Sequence, residues 1–527
     1  MTANTLSVVP QTGVTYADLI VEALTRNTAR DAFVHLDRTV TYGEVANLTS
    51  RLRQVLADRG VAQNGCIGAL SVNTPEVWMT QAATALSGAR YTGLHPLGSV
   101  DDHIGLCDDA EVSVLVVHPA FAETGQKIAD GTPGVKHLLT LGPAEFGEDL
   151  LALCDQVEAE PLNRGPASEE DIAWLQYTGG TTGRPKGVMI SHRAMVQEVY
   201  SLTASWALPL TPRTLLATPI THASVLPLLP TLLRGGTVVL QQGFAPDAWL
   251  EAVQTHRINY VFTIPTLLYA LMDQGHTDSY DLSSLETVVY GASPMSPSRI
   301  EEAIKVFGPK LLQAYGQTEC TGMSTTLLPH EHDPIDRVEL LSSCGRPVTG
   351  ARIELLDEAG ELVDPGSVGE ICVRSRAVMS GYWKRPEETE AALQGGWLHT
   401  GDMAYRDEAG FLHIVDRKKD MVVSGGFNIY PREIEDVLTE VSGVSAAAVI
   451  GIPDPKWGEA IKAFVVVKPG ETVDVKSLIA RVKARKGSHC APKSLEVVDA
   501  LPMTAVGKID KKILRAPFWS DSERSVN

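Results

Sequence analysis

Residues 172–190 read IAWLQYTGGTTGRPKGVMI. An apolar run ends at Tyr177. Thr178, Gly179, Gly180, Thr181, Thr182 and Gly183 follow, then Arg184, Pro185, Lys186 and Gly187. Glycines let a backbone fold closely around an anion with its N–H groups turned inward. The threonine hydroxyls add donors, and Lys186 adds a mobile positive charge for phosphate. The string is not a Walker A loop, which requires Gly-Lys-Ser/Thr after a four-residue gap. Four further strings pair chemistry-bearing side chains with glycine. They are Tyr315-Gly316-Gln317-Thr318-Glu319, Gly396-Trp397-Leu398-His399-Thr400-Gly401-Asp402, Ser424-Gly425-Gly426, and Pro502-Met503-Thr504-Ala505-Val506-Gly507-Lys508. Glu319 and Asp402 offer carboxylates for a hard cation or for hydroxyl groups. Lys508 offers a cation for an anionic transition state. Taken singly, each string also fits an ordinary turn, a helix cap or a solvated lysine.

The elements that must carry these strings show in the apolar periodicity. Short β-branched runs at 258–263, 237–240, 285–290 and 310–314 predict strands. Ile300, Ala303, Ile304 and Phe307 share one face of a predicted helix over 298–307. The alternation of strand, loop and helix predicts an α/β architecture of helix-covered sheets, with ligands at the loops that leave strand C-terminal ends. The Asp416-Arg417-Lys418-Lys419-Asp420 charges interrupt this pattern. They place a boundary between a large N-terminal domain, 1–416, and a small mobile α+β domain, 417–527. In the latter, Ile434, Val437, Leu438 and Val441 predict a helix after Pro431, with strands at 446–450 and 463–468.

Together and in order, the strings resemble those of the adenylate-forming (AMP-binding) enzymes, in particular the acyl- and aryl-CoA ligases of the fatty-acid and 4-coumarate type. The phosphate loop departs from that family's TSGTTGxPKG only at Gly179, where serine is common. The resemblance implies that Thr178 to Gly183 and Lys186 bind the phosphates of ATP. It puts Gly291, Ala292, Ser293 and Tyr315 around adenine, Asp402 and Arg417 on the ribose, Thr318 at the α-phosphate, and Mg²⁺ on Glu319. Lys508 bridges the substrate carboxylate and the α-phosphate. Ser424, Gly425 and Gly426 border the coenzyme A tunnel, and Lys419 is the hinge of the small domain.

The resemblance also implies an acid pocket of His222, Phe262, Tyr290, Gly291, Gly316, Cys320 and Met323. His222 stands where amino-acid-activating relatives carry an ammonium-binding aspartate. No fixed charge lines this set, so a mainly apolar monocarboxylic acid, fatty or aromatic, is expected. The product would be an acyl-AMP and then an acyl-CoA. A stand-alone adenylation enzyme that loads an acyl carrier protein is the alternative, and no carrier domain is expected after Lys508.

Composition is compatible with this reading. The chain has 527 residues, 44% of them hydrophobic and 21% charged, enough for large cores. A net charge of −19 disfavours nucleic acid and anionic membranes as partners. Seven scattered cysteines without a CxxC pair suggest reduced thiols rather than a disulfide framework or a zinc site. The N-terminus lacks the basic start and apolar run of a signal peptide, and no run reaches the ~18 apolar residues of a membrane span. A cytoplasmic enzyme is expected, with a homodimer as a candidate assembly.

Overall fold

The computed structural model describes residues 13–178, 185–424, 427–504 and 508–519. Among these, the large domain is built on three sheets. A nine-stranded sheet runs parallel through its centre. Its strands Leu311–Tyr315, Thr287–Gly291, Tyr260–Thr263, Arg213–Leu216, Thr237–Leu240 and Asp31–His35 lie in that spatial order. An eight-stranded sheet has Cys66–Leu70, Arg90–Leu94 and Ile172–Thr178 in its parallel part and ends in the antiparallel pair with Lys186–Ser191. Both match the expected helix-covered α/β pattern. The third sheet, of four antiparallel strands Ala351–Leu356, Gly369–Ser375, Leu398–Arg406 and Leu412–Arg417, was not foreseen.

The two large sheets face each other across a helical layer. Pro75–Leu86 is its most enclosed member. The Thr74 hydroxyl accepts from Val77 N–H, Pro75 sets the first turn, and all twelve residues are buried. Trp78 packs on Phe33 of the nine-stranded sheet at 5.6 Å between ring centroids. Capping boxes at Thr15/Asp18 and Thr41/Glu44 start the neighbouring helices Tyr16–Arg26 and Tyr42–Asp58. Outside, Pro246–Thr255, Pro265–Asp273 and Pro297–Phe307 cover the nine-stranded sheet. Val100–Asp109 and Ala122–Gly131 cover the eight-stranded one.

The small domain is a five-stranded sheet. Its helices Pro431–Thr439 and Val475–Lys486 bury Ile434, Val437, Leu438, Leu478 and Val482 against it. The predicted strand 446–450 falls within Val444–Asp454, and 463–468 overlaps Gly458–Val467, which ends one residue earlier. The last strand of the four-stranded sheet runs to Arg417, so the expected boundary falls at its final residue and the turn 418–420 leaves it. All seven cysteines are free and buried. Among the described residues, no helix is long and apolar enough to cross a membrane.

Because Trp78 joins the helical layer to a sheet, Trp78→Ala should cost about 3–5 kcal/mol. Exposed Leu97 serves as the control, and Leu97→Ala should stay within about 0.5 kcal/mol. Urea midpoints of the two variants compare them directly.

Candidate active site

The parallel strands of the nine-stranded sheet deliver their following loops to one edge. Thr287–Gly291 and Leu311–Tyr315 are neighbours, with Gly291 opposite Ala314. A Cβ on Gly291 would lie 2.4 Å from the Ala314 carbonyl oxygen, so only glycine fits there. Ala292 then takes φ +66° to turn the chain and, with Ser293, stands at the surface of the cleft. After Tyr315 the chain doubles back. Gly322 N–H bonds Gln317 O at 2.9 Å and Ser324 N–H bonds Tyr315 O at 2.8 Å. A Cβ on Gly316 would meet Gly322 O at 2.4 Å. This tight loop presents Thr318 and Glu319. Inside it the Cys320 sulfur accepts from Gln317 N–H and from the Ser324 hydroxyl.

Glu319 is tied to Lys186 through Tyr382, a residue the sequence did not single out. The Tyr382 hydroxyl donates to the Glu319 carboxylate at 2.8 Å. The Lys186 ammonium lies 5.0 Å from the Tyr382 ring centroid and pairs with Glu388. Tyr382 reaches this place because Gly381–Tyr382 adds to the edge of Lys186–Ser191. Thr178 pairs with Lys186 across the mouth of the loop. Gly179, Gly180, Thr181, Thr182 and Gly183 lie outside the described residues, as do Gly425 and Gly426. Ser424 is described, pairing with Phe427 and Gly458.

Asp402 stands opposite Arg417 in the four-stranded sheet. Its carboxylate is buried, accepts from the Tyr315 hydroxyl at 2.7 Å, and lies 3.2 Å from Arg417 Nε. Burial and then the Asp402 charge push the Tyr315 phenol well above its usual range. The bend before Asp402 is held by Glu370, which accepts from Gly401 N–H at 2.8 Å. From the small domain, Lys508 enters this group. Burial, and after it the Arg417 charge, push its amine down to about 8, while Asp402 and Glu319 act in the opposite direction. Lys419, in the turn after Arg417, is likewise pushed down to about 8, by burial first and then by Arg417. Residues from three sheets and both domains thus converge on one cleft.

His222 borders the same cleft. Its Nδ1 lies 3.0 Å from the Thr221 hydroxyl, and its ring meets that of His95 edge-on at 5.3 Å. Burial, then His95 and Lys508, push its pKa down to about 4. Phe262 stacks on Trp206 at 5.7 Å and shares an apolar cluster with Leu202, Leu226 and Met323. Tyr290 does not join them, which corrects the expected pocket. Strand alternation gives Val289, opposite Phe262, the cleft-side face and Tyr290 the other. There the Tyr290 hydroxyl meets His332 Nε2 at 3.0 Å. The Cys320 thiol, for its part, is committed to its own loop.

The chain is similar in sequence and fold to proteins of known activity. A sequence profile described as AMP-binding enzyme matches residues 20–383, and one described as AMP-binding enzyme C-terminal domain matches residues 433–508. The chain is 41% identical over 522 residues to a medium/long-chain-fatty-acid–CoA ligase of Mycobacterium tuberculosis, covering 96% of this chain and 91% of that one. It is 37% identical over 486 residues to a feruloyl-CoA synthase of an Amycolatopsis species, covering 92% and 95%. The solved amide bond synthetase McbA of Marinactinospora thermotolerans superposes with a TM-score of 0.89 at 34% identity, covering 95% of this chain and all of that one.

Because burial, and after it the neighbouring His95 ring and the Lys508 ammonium, disfavour a charge on the His222 imidazole, its ring should not titrate between pH 5 and 8. Exposed His276, whose pKa Asp247 raises, should titrate above the usual 6.5. Histidine ring resonances followed against pH check this. A His222 midpoint near 6.5 would be the contrary result.

Proposed function

Since the chain belongs to the AMP-binding, adenylate-forming enzyme family, we propose that it is an ATP-dependent acid–CoA ligase acting on a mainly apolar carboxylic acid. The observation that carries this reading is the convergence of Lys508, Arg417, Asp402 and Glu319 beside His222. Such a cleft suits a nucleotide whose ribose meets Asp402 and Arg417 and whose α-phosphate meets Thr318. The acid would extend past His222 towards Phe262 and Met323. In the first step a carboxylate oxygen attacks the α-phosphorus, the bond to the β-phosphate oxygen breaks, and pyrophosphate leaves. Lys508 would counter the charge that gathers on the attacking and α-phosphate oxygens. In the second step a thiol sulfur attacks the acyl carbon, AMP leaves with the bonding pair, and the thiol proton passes to solvent.

Glu319 offers the hard carboxylate oxygen that Mg²⁺ takes alongside phosphate oxygens, so the donor set fits that ion. When bound, Mg²⁺ supplies charge neutralisation to the triphosphate. Tyr382 would aim the carboxylate, and Lys186 would exchange Glu388 for phosphate oxygens. Coenzyme A is the proposed acceptor, supported by the names of the two relatives. The buried free thiols suit a reducing cytoplasm. Pyrophosphate release measured over an acid panel, followed by addition of CoA or a carrier protein, tests the assignment. Thioester with the carrier alone would move it to the alternative acceptor.

Lys508 serves only the first step in this account. Lys508→Ala should slow acyl-adenylate formation by at least about 100-fold. Chemically made acyl-adenylate plus CoA should still give thioester at a rate near wild type. Equal loss in both half-reactions would contradict the assignment.

The small domain must then turn to bring Ser424 and its loop to the thiol, with Lys419 as the proposed pivot between residues 1–416 and 417–527. Proline fixes φ near about −65°. Lys419→Pro should therefore spare adenylation and abolish thioester formation, with Lys419→Ala as the control for the lost charge. Equal effects on both steps would place the pivot elsewhere.

A further inference from the structure

Helix His192–Ser205 follows the phosphate-loop strand, its first turn capped by the Ser191 hydroxyl. Glu198 lies on its buried side at 2% exposure. Neither of its carboxylate oxygens has a hydrogen-bond partner among the described residues. Buried polar groups are nearly always paired, and an unpaired buried carboxylate is costly. Burial accordingly raises the Glu198 pKa well above the usual range. A carboxyl in that state is a neutral acid, able both to donate and to accept a hydrogen bond.

The surroundings say what could use it. On one side lies Cys320, near enough that an ionised Glu198 would raise its thiol pKa, and its loop presents Thr318 and Glu319. One helical turn on, Leu202 packs with Trp206, Leu226, Phe262 and Met323. That is the apolar wall given above to the acid. Glu198 is thus an unsatisfied polar group among residues assigned to the acid pocket, in a wall that is otherwise apolar. An ammonium would require an ionised Glu198 and bury two charges in that wall, whereas a hydroxyl satisfies the neutral acid without charge.

We propose that Glu198 is a specificity-determining residue that hydrogen-bonds a hydroxyl group carried by the acid at the end remote from its carboxylate. The substrate class is then hydroxylated apolar acids rather than plain hydrocarbon acids. This rests on the reading that the chain activates an acid in this pocket.

The test uses matched pairs, cinnamate with 4-hydroxycinnamate and decanoate with 10-hydroxydecanoate, on wild type, Glu198→Gln and Glu198→Leu. A site built to pair a substrate hydroxyl rejects the analogue that lacks it strongly. The hydroxylated member of at least one pair should be favoured by about 100-fold or more in kcat/KM for pyrophosphate release. Glu198→Gln should keep that preference within about tenfold of wild type, since the amide still donates and accepts. Glu198→Leu should lose or reverse it, with the KM for ATP within about twofold of wild type and a melting temperature at or above wild type, because the unpaired group is gone. The preferred hydroxy acid should raise the melting temperature of wild type and not of Glu198→Leu.

Equal rates for both members of each pair would overturn the proposal. So would an unchanged preference in Glu198→Leu, or a Glu198→Leu protein that melts well below wild type. Preference for an amino-substituted cinnamate over the hydroxylated one would overturn it too. If no acid releases pyrophosphate, the ligase reading has failed. The melting shifts then decide alone, a hydroxyl-dependent shift lost in Glu198→Leu supporting the role of Glu198 and equal shifts in the two proteins refuting it.

Discussion

The Lys508 amine sits in a cleft between two domains, where burial and the nearby Arg417 guanidinium both work against its proton. Asp402 and Glu319 hold that proton on, and the balance leaves the amine near 8. The rest of the site can be understood from this constraint. Asp402 must be a carboxylate in a fixed place, so it is buried and gripped by the Tyr315 hydroxyl and by Arg417 across one strand pair. Glu319 must face the same point from a different sheet, so its loop is drawn tight by Gly316 and Cys320 and its carboxylate is held by Tyr382. An incoming triphosphate carries the charge that this collection of cations lacks.

The small domain meets a second constraint at its root. Asp416 and Asp420 flank the turn that carries Lys419. Burial alone would raise the Asp420 pKa, but Lys511 and Arg515 hold it below the usual range, Arg515 by an ion pair of 2.8 Å. Lys511 also pairs with half-buried Glu435 at 2.8 Å. These pairs anchor the turn to the small domain, while Arg417 remains in the sheet of the large one. A change of backbone angle between 417 and 420 would move one domain against the other and leave both cores intact.

Much of this was legible in the sequence because local rules dominated. Thr237–Leu240 is a strand over the residues expected, and helix Pro297–Phe307 buries the expected Ile300, Ala303 and Phe307. Gly291 and Tyr315 each end a parallel strand, as the α/β pattern requires. What was missed depends on residues distant in sequence. Tyr382, Glu388 and His95 reach the site through sheet pairing and loop packing, and none carries a local signal. Tyr290 was misplaced because adjacent residues of a strand face opposite ways, and its string alone does not say which face meets the cleft. Glu198 was not singled out in the sequence, because its burial on helix His192–Ser205 depends on packing distant in sequence.

The most direct test of adenylation is the fate of the carboxylate oxygens. An acid labelled with ¹⁸O in its carboxyl group is incubated with ATP, Mg²⁺ and CoA, and the nucleotide products are examined by mass spectrometry or ³¹P resonance. Attack at the α-phosphorus predicts one ¹⁸O atom in AMP, unlabelled pyrophosphate, and a thioester that retains the other. Label in orthophosphate with formation of ADP, or AMP without label, would contradict an acyl-adenylate route.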